Sequence, residues 1–129
     1  MVEEPLFSLQ ADIHCMLSIV ILGYSFGDLL FVSGQVGSRE DGTPEPDFQQ
    51  QVRLAFDNLH ATLAAAGCTF DDIIDVTSFH TDPENQFEDI MTVKNEILAP
   101  TLSKLDGGGV TWLAGFDFEI KVIARIPEQ

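Results

Sequence analysis

Apolar residues recur at Phe48, Val52, Ala55, Phe56, Leu59 and Leu63, the spacing of one face of a helix that lies on a sheet. Pro46-Asp47 with Gln50 marks its start, because a short carboxylate accepts the first free amide while glutamine reaches back, and Gly67 marks its end. A second helical repeat runs through Phe87, Ile90, Met91, Lys94 and Leu98, opened by Asp82-Pro83 and stopped by Pro100. Between the two, Ile73 to His80 is rich in β-branched and aromatic residues and predicts a strand. Asp28 to Gly34 and the long run from Val110 to Ala124 also read as strands. The last alternates, with Phe116, Phe118, Ile120, Val122, Ala124 and Ile126 on one face and Asp117, Glu119, Lys121, Ile123 and Arg125 on the other.

The order strand, strand, helix, strand, helix, strand, strand predicts an α+β domain with ferredoxin-like layering, two helices on one face of a mixed sheet. Such a layer leaves its other face in need of cover, and in a chain of 129 residues another subunit is the expected source. No internal repeat, linker or low-complexity tract divides the sequence, so one domain over 1–129 is expected.

Six basic against 21 acidic residues give a formal charge of −15. A polyphosphate would meet a repulsive field and lose the counterion-release term that drives nucleic-acid binding, so no nucleic acid is expected as partner. Cys15 and Cys68 sit in neither a CxxC nor a Cys/His pattern with zinc spacing, which predicts no disulfide framework and no metal. The acidic start Met-Val-Glu-Glu is unlike a signal peptide, and the apolar run Cys15 to Leu22 is far too short to span a bilayer. A soluble cytoplasmic protein is the expectation.

Three sets of residues carry a family resemblance: Gly27-Asp28-Leu-Leu-Phe-Val-Ser33-Gly34-Gln35, the helix Gln51 to Leu59 leading to Ala66-Gly67, and the closing Phe118-Glu119-Ile120. With them, residues 27–98 and 109–127 resemble the Rid (YjgF-type) imine/enamine deaminase family, most of all its YjgH branch. The resemblance implies a chorismate-mutase-like fold, a homotrimer with ligand clefts between subunits, and hydrolysis of reactive imines and enamines to ammonia without metal or organic cofactor. It also implies an arginine that pairs bidentately with a substrate carboxylate, a geometry lysine cannot copy, and a glutamate on the last strand that positions the attacking water. Glu119 matches the glutamate.

The arginine has no counterpart, since Thr101 to Gly109 carries only Lys104, and Val20 stands where the family's Gly-Pro-Tyr-Ser motif places tyrosine. Both departures fall in tracts, 4–26 and 98–108, that resume the family pattern sharply at Gly27 and Gly109. Block replacement at nearly constant length is what compensated reading-frame shifts, or deliberate segment replacement, would produce.

Other candidates have plain structural readings beside the chemical ones. His14, Cys15 and Ser18 invite a nucleophile and base, but neighbours on a strand point to opposite faces. His60 lies off the apolar stripe of its helix and reads as solvent-facing; His80 ends a strand and suits a turn hydrogen bond better than a metal. Gly107-Gly108-Gly109 lacks the lysine and helix start of a phosphate cradle and reads as a flexible loop before a strand. Asp117, two positions from Glu119 on the same strand face, could raise a carboxyl pKa there.

The expected function is a Rid-type deaminase acting on a small-molecule substrate, with Glu119 as the water-positioning base. Backbone groups of Ser33-Gly34 or of Val110-Thr111 would orient the substrate, and Trp112 would line the cleft. The alternatives are a non-catalytic trimer binding a small apolar or uncharged metabolite, and a frame-altered or engineered scaffold without activity.

Overall fold

The computed structural model describes residues 23–98 and 106–127. His14, Cys15, Ser18, Val20, Pro100 and Lys104 lie outside the described residues. The elements run β1 (Gly23–Phe26), β2 (Leu29–Val36), α1 (Phe48–Ala65), a short 3-10 turn (Phe70–Asp72), β3 (Ile73–His80), α2 (Pro83–Leu98), β4 (Asp106–Gly109) and β5 (Phe118–Arg125). They form an α+β layer whose sheet has the order β1-β2-β5-β3-β4, antiparallel except for the β3–β4 pair.

The helix boundaries follow their punctuation. The Asp47 side chain accepts from the Gln50 amide at 3.0 Å, and the α1 C-terminus closes through Gly67, at φ +78°. There Gly67 N–H donates to Ala64 O at 3.0 Å and Cys68 N–H to Leu63 O at 2.9 Å, the bonds that satisfy a helix's last carbonyls. Gly27, at φ +63°, makes the tight link between β1 and β2, where Phe26 pairs with Leu29.

The core is the contact of both helices with one face of the sheet. Val52, Ala55, Phe56, Leu59 and Leu63 of α1 and Ile90, Val93 and Leu98 of α2 are buried against Leu30, Val32, Phe118, Ile120, Val122 and Ala124. Phe56 stacks on Phe118 at 6.2 Å and meets Phe70 edge-on at 6.4 Å, geometries that aromatic pairs prefer. The alternation expected of the last strand is therefore present from Phe118 to Arg125, with Phe116 and Ile126 half-buried just outside it.

The region before β5 differs from expectation. Gly107 to Gly109 are strand rather than loop, paired in parallel with Ser78 to His80. Val110 to Asp117, expected as strand, instead form turns, with Ala114 at φ 56° and Gly115 at φ +96°. Local propensity disfavours glycine in strands, but at this edge a side chain would collide: a Cβ on Gly107 would stand 2.7 Å from His80 Nε2. Tertiary fit outweighs propensity here.

Candidate functional site

The β2–β5 ladder is regular except at Ser33 and Gly34. Val32 faces Val122 and Gln35 faces Ile120, so one extra residue on β2 bulges out of register. The buried Gln35 holds the bulge, its Nε2 donating to Ser33 O at 3.0 Å. Ser33 and Gly34 are exposed on the sheet face away from the helices.

Glu119 is half-buried on β5, in register with Val36 on one side and Phe79 on the other. Its carboxylate lies over Gly34, where an added Cβ would stand 2.6 Å from Oε2. Glycine at the bulge is thus what admits the carboxylate to this spot. A shallow cavity of about 310 Å3 continues along the same face, lined by Phe31, Ser33, Asp75, Thr77, Lys121 and Ile123. Lys121 Nζ stands 5.8 Å from the centre of the Phe79 ring, within cation–π reach.

The bulge and Glu119 come together within one chain, whereas Val110 stands apart on the far side of β3. Val110 N–H donates to His80 O at 2.9 Å beside β3, on the edge strand's side. That is two strand spacings from β5, or roughly 10 Å. Thr111 and Trp112 follow in the turn, and Trp112 is 75% exposed. Asp117 lies just before β5, and its carboxylate accepts from Thr81 Oγ1 at 3.0 Å, tying the turn after β3 to the entry of β5.

Gln51 is the positioning residue that the sequence pattern hid. It is 2% exposed on α1, its Nε2 donating to Glu45 O at 3.0 Å. Its Oε1 accepts from Asp117 N–H at 2.8 Å and Phe118 N–H at 3.2 Å. One buried amide thus bonds the start of β5 from the helix side, in addition to the Thr81 contact and the ladders with β2 and β3. The available signal was a glutamine beside Val52 on the helix face that carries the apolar stripe. Asn58 works alike at the other strand, its Nδ2 donating to Val36 O at 2.9 Å.

His80 also departs from the turn role expected of it. Its ring is buried against Phe118, with centres 5.7 Å apart, and Nε2 lies 2.9 Å from Ser78 Oγ. Burial holds this imidazole below the ordinary histidine range. His60 is exposed, as expected, with its ring 5.3 Å from Phe70. Cys68 is buried, and burial, then the charge of Asp72, pushes its thiol up. Among the described residues no group of three or more His, Cys, Asp or Glu could hold a metal ion, and no helix is long and apolar enough to cross a membrane.

Residues 20–126 match the profile of the family described as Endoribonuclease L-PSP. The RutC family protein YjgH of Escherichia coli K12 is 90% identical over 104 residues, covering 80% of this chain and 79% of that protein. A solved structure of Protein YJGH superposes with a TM-score of 0.82 over 100% of this chain and 98% of that one, at 73% identity. Identity falls when the rest of the chain is included, which places most of the differences outside the 104-residue match. A candidate reactive intermediate deaminase, TdcF of Escherichia coli K12, is 38% identical over 63 residues, 48% of this chain and 49% of that protein. The structure of TdcF with bound serine superposes with a TM-score of 0.74 at 31% identity, covering 81% of this chain and 85% of that one. The bulge, the helix-borne core and the glutamate of β5 thus stand in a chain that belongs to the Endoribonuclease L-PSP, or YjgF/Rid, family.

Proposed function

We propose that the chain hydrolyses a reactive enamine or imine to a carbonyl product and ammonia, with Glu119 holding the attacking water. The observation that carries this reading is the seat of Glu119, a half-buried carboxylate over the glycine of an exposed bulge. A positioned carboxylate takes the proton of a water as its oxygen bonds to the imine carbon. That proton is delivered to nitrogen to give a carbinolamine. Its hydroxyl then passes its own proton to the amino group as the carbon–nitrogen bond breaks, so that ammonia leaves as the carbonyl forms. An enamine first takes a proton at carbon and loses one from nitrogen to become the imine. No electron changes hands, so the chemistry asks for position and a base. Backbone groups of Ser33 and Gly34 lie outside the β5 register and orient the substrate.

A homotrimer completes the site in this reading. Phe26 of β1 and Ile74 of β3 are 57% and 58% exposed, apolar surface that a neighbouring subunit covers. The neighbour's Val110, Thr111 and Trp112 then complete the Glu119 seat. An RNA substrate, which the family's description names, suits the chain poorly, because a formal charge of −15 opposes phosphate contacts.

The test is ammonia release from freshly generated small imines by the purified chain, by Glu119→Gln and by buffer alone. We expect catalysis above the uncatalysed rate and a fall of about tenfold or more in the variant, within the range of general-base contributions. No rate above buffer from folded protein sinks the proposal.

That outcome would favour a second reading, a non-catalytic module binding an uncharged metabolite. It is supported by the placement of Arg39, Arg53 and Arg125, which contact Thr43, Glu96 and Asp28 respectively and none of which lines the cavity along the Glu119 face.

A further inference from the structure

Gly107 and Gly109 turn their bare side toward α2, where a Cβ would stand 2.7 Å from His80 Nε2 and 3.0 Å from Ser78 Oγ, or 3.0 Å from Pro83 Cγ. Without side chains from β4, a cavity of about 340 Å3 remains between this edge strand and the helix, within the range of small-molecule sites. Its helix wall is apolar at Phe87, Ile90 and Met91, with Phe87 62% exposed, and ends at Lys94, which is 5% exposed and engaged in an interaction of its own. Opposite lie two polar side chains of the core face, Ser78 at 0% and His80 at 8% exposure.

Those two groups have unused hydrogen-bonding capacity. His80 Nδ1 is buried and has no hydrogen-bond partner among the described residues. If Nε2–H donates to Ser78 Oγ, Nδ1 is a lone pair without a donor; if the Ser78 hydroxyl donates to Nε2, Nδ1–H lacks an acceptor. A buried polar group in that condition is costly, and a hydroxyl, which both donates and accepts, suits either tautomer.

We propose that the cavity between α2 and β4 is a binding site, separate from the Glu119 seat, for a small aromatic alcohol of the phenol class. The ring lies along Phe87 and Met91, where apolar burial and aromatic contact hold it. The hydroxyl meets the Ser78–His80 pair. Nothing in this site uses Glu119, so it stands or falls independently of the deaminase reading.

The test is a phenol titration of the isotope-labelled full chain followed by NMR, with toluene and benzoate as comparison probes. Phenol shifts the resonances of Phe87, Met91 and the His80 imidazole, and toluene binds about tenfold more weakly for want of one hydrogen bond to a buried group. Met91→Trp fills the cavity and weakens phenol about tenfold or more. Phe87→Ala, at an exposed position that does not threaten folding, weakens it about threefold. Glu119→Gln leaves it unchanged. The proposal is overturned if phenol shifts none of these resonances up to about 10 mM, or if toluene or benzoate binds as tightly as phenol. It is also overturned if Phe87→Ala and Met91→Trp bind phenol as the parent does; should Met91→Trp not fold, Phe87→Ala decides.

Discussion

Gly34 and Gly107 both remove a Cβ to make room for a polar side chain, yet the two neighbourhoods differ in what that room is for. At Gly34 the neighbour is the flexible end of Glu119, half-buried on the open face of the sheet between β2 and β3. At Gly107 it is the buried Ser78–His80 pair, on the helix face next to an edge strand. A carboxylate beside water can be moved at little cost, whereas a buried imidazole packed on Phe118 cannot. The first place is suited to chemistry and the second to packing or capture.

The difference is broken most severely from a third residue. Gln51 bonds the start of β5, so Gln51→Leu leaves the amides of Asp117 and Phe118 and the carbonyl of Glu45 without their partner. Stranding buried backbone groups costs roughly 1–3 kcal/mol. We expect the urea midpoint to drop with an unchanged slope, and amide exchange at Phe118 and Glu119 to accelerate more than at Val52. A variant as stable as the parent would show that β5 is placed without this amide.

Much of the layout was legible because it follows from periodicity and punctuation. The stripe of α1, the Asp47 and Gly67 ends, and the alternation of β5 are local signals that tertiary structure did not override. Gly107 to Gly109 were not legible, because their strand state depends on what stands across β3 rather than on their own preference. His80 is hidden for the same reason: a histidine at a strand end looks like a turn residue until Gly107 clears the space in which its ring lies. Gln51 and Gln35 were invisible in another way, as their roles are bonds to backbone groups distant in sequence or displaced by a bulge. Glu119 stands out by family resemblance, whereas the bulge that seats it leaves no local signal.

Paired glycine substitutions sharpen the contrast. Gly34→Ala meets a side-chain terminus that can swing aside, so its effect on stability stays within about 1 kcal/mol while Glu119 loses its position. The deaminase rate, where present, falls about tenfold. Gly107→Ala meets a buried ring and costs roughly 1–3 kcal/mol in stability, with no direct effect on Glu119. Denaturation and ammonia release on the same preparations give the comparison. Equal stability losses at both positions would remove the distinction between a movable and an immovable neighbour.

The smallest effect is a pH dependence confined to one neighbourhood. Burial lowers the His80 pKa in the folded chain, whereas an unfolded histidine takes up its proton near pH 6.5, so below that value the unfolded chain binds more protons. The stability due to the neutral buried ring is therefore full above about pH 6.5 and declines as pH falls below it. The carboxylates of Asp28, Asp41 and Glu96 are held low by Arg125, Thr43 and Arg53 respectively. Their contributions persist until pH falls below about 4, so they do not obscure the interval above it. His80→Gln keeps a hydrogen-bonding group near Ser78 but does not titrate. Its melting temperature should fall less than the parent's between about pH 7.5 and 5. Parallel curves for the parent and His80→Gln would mean that the imidazole takes up its proton without opening the core, and the Ser78–His80 pair would then be as movable as the carboxylate at Gly34.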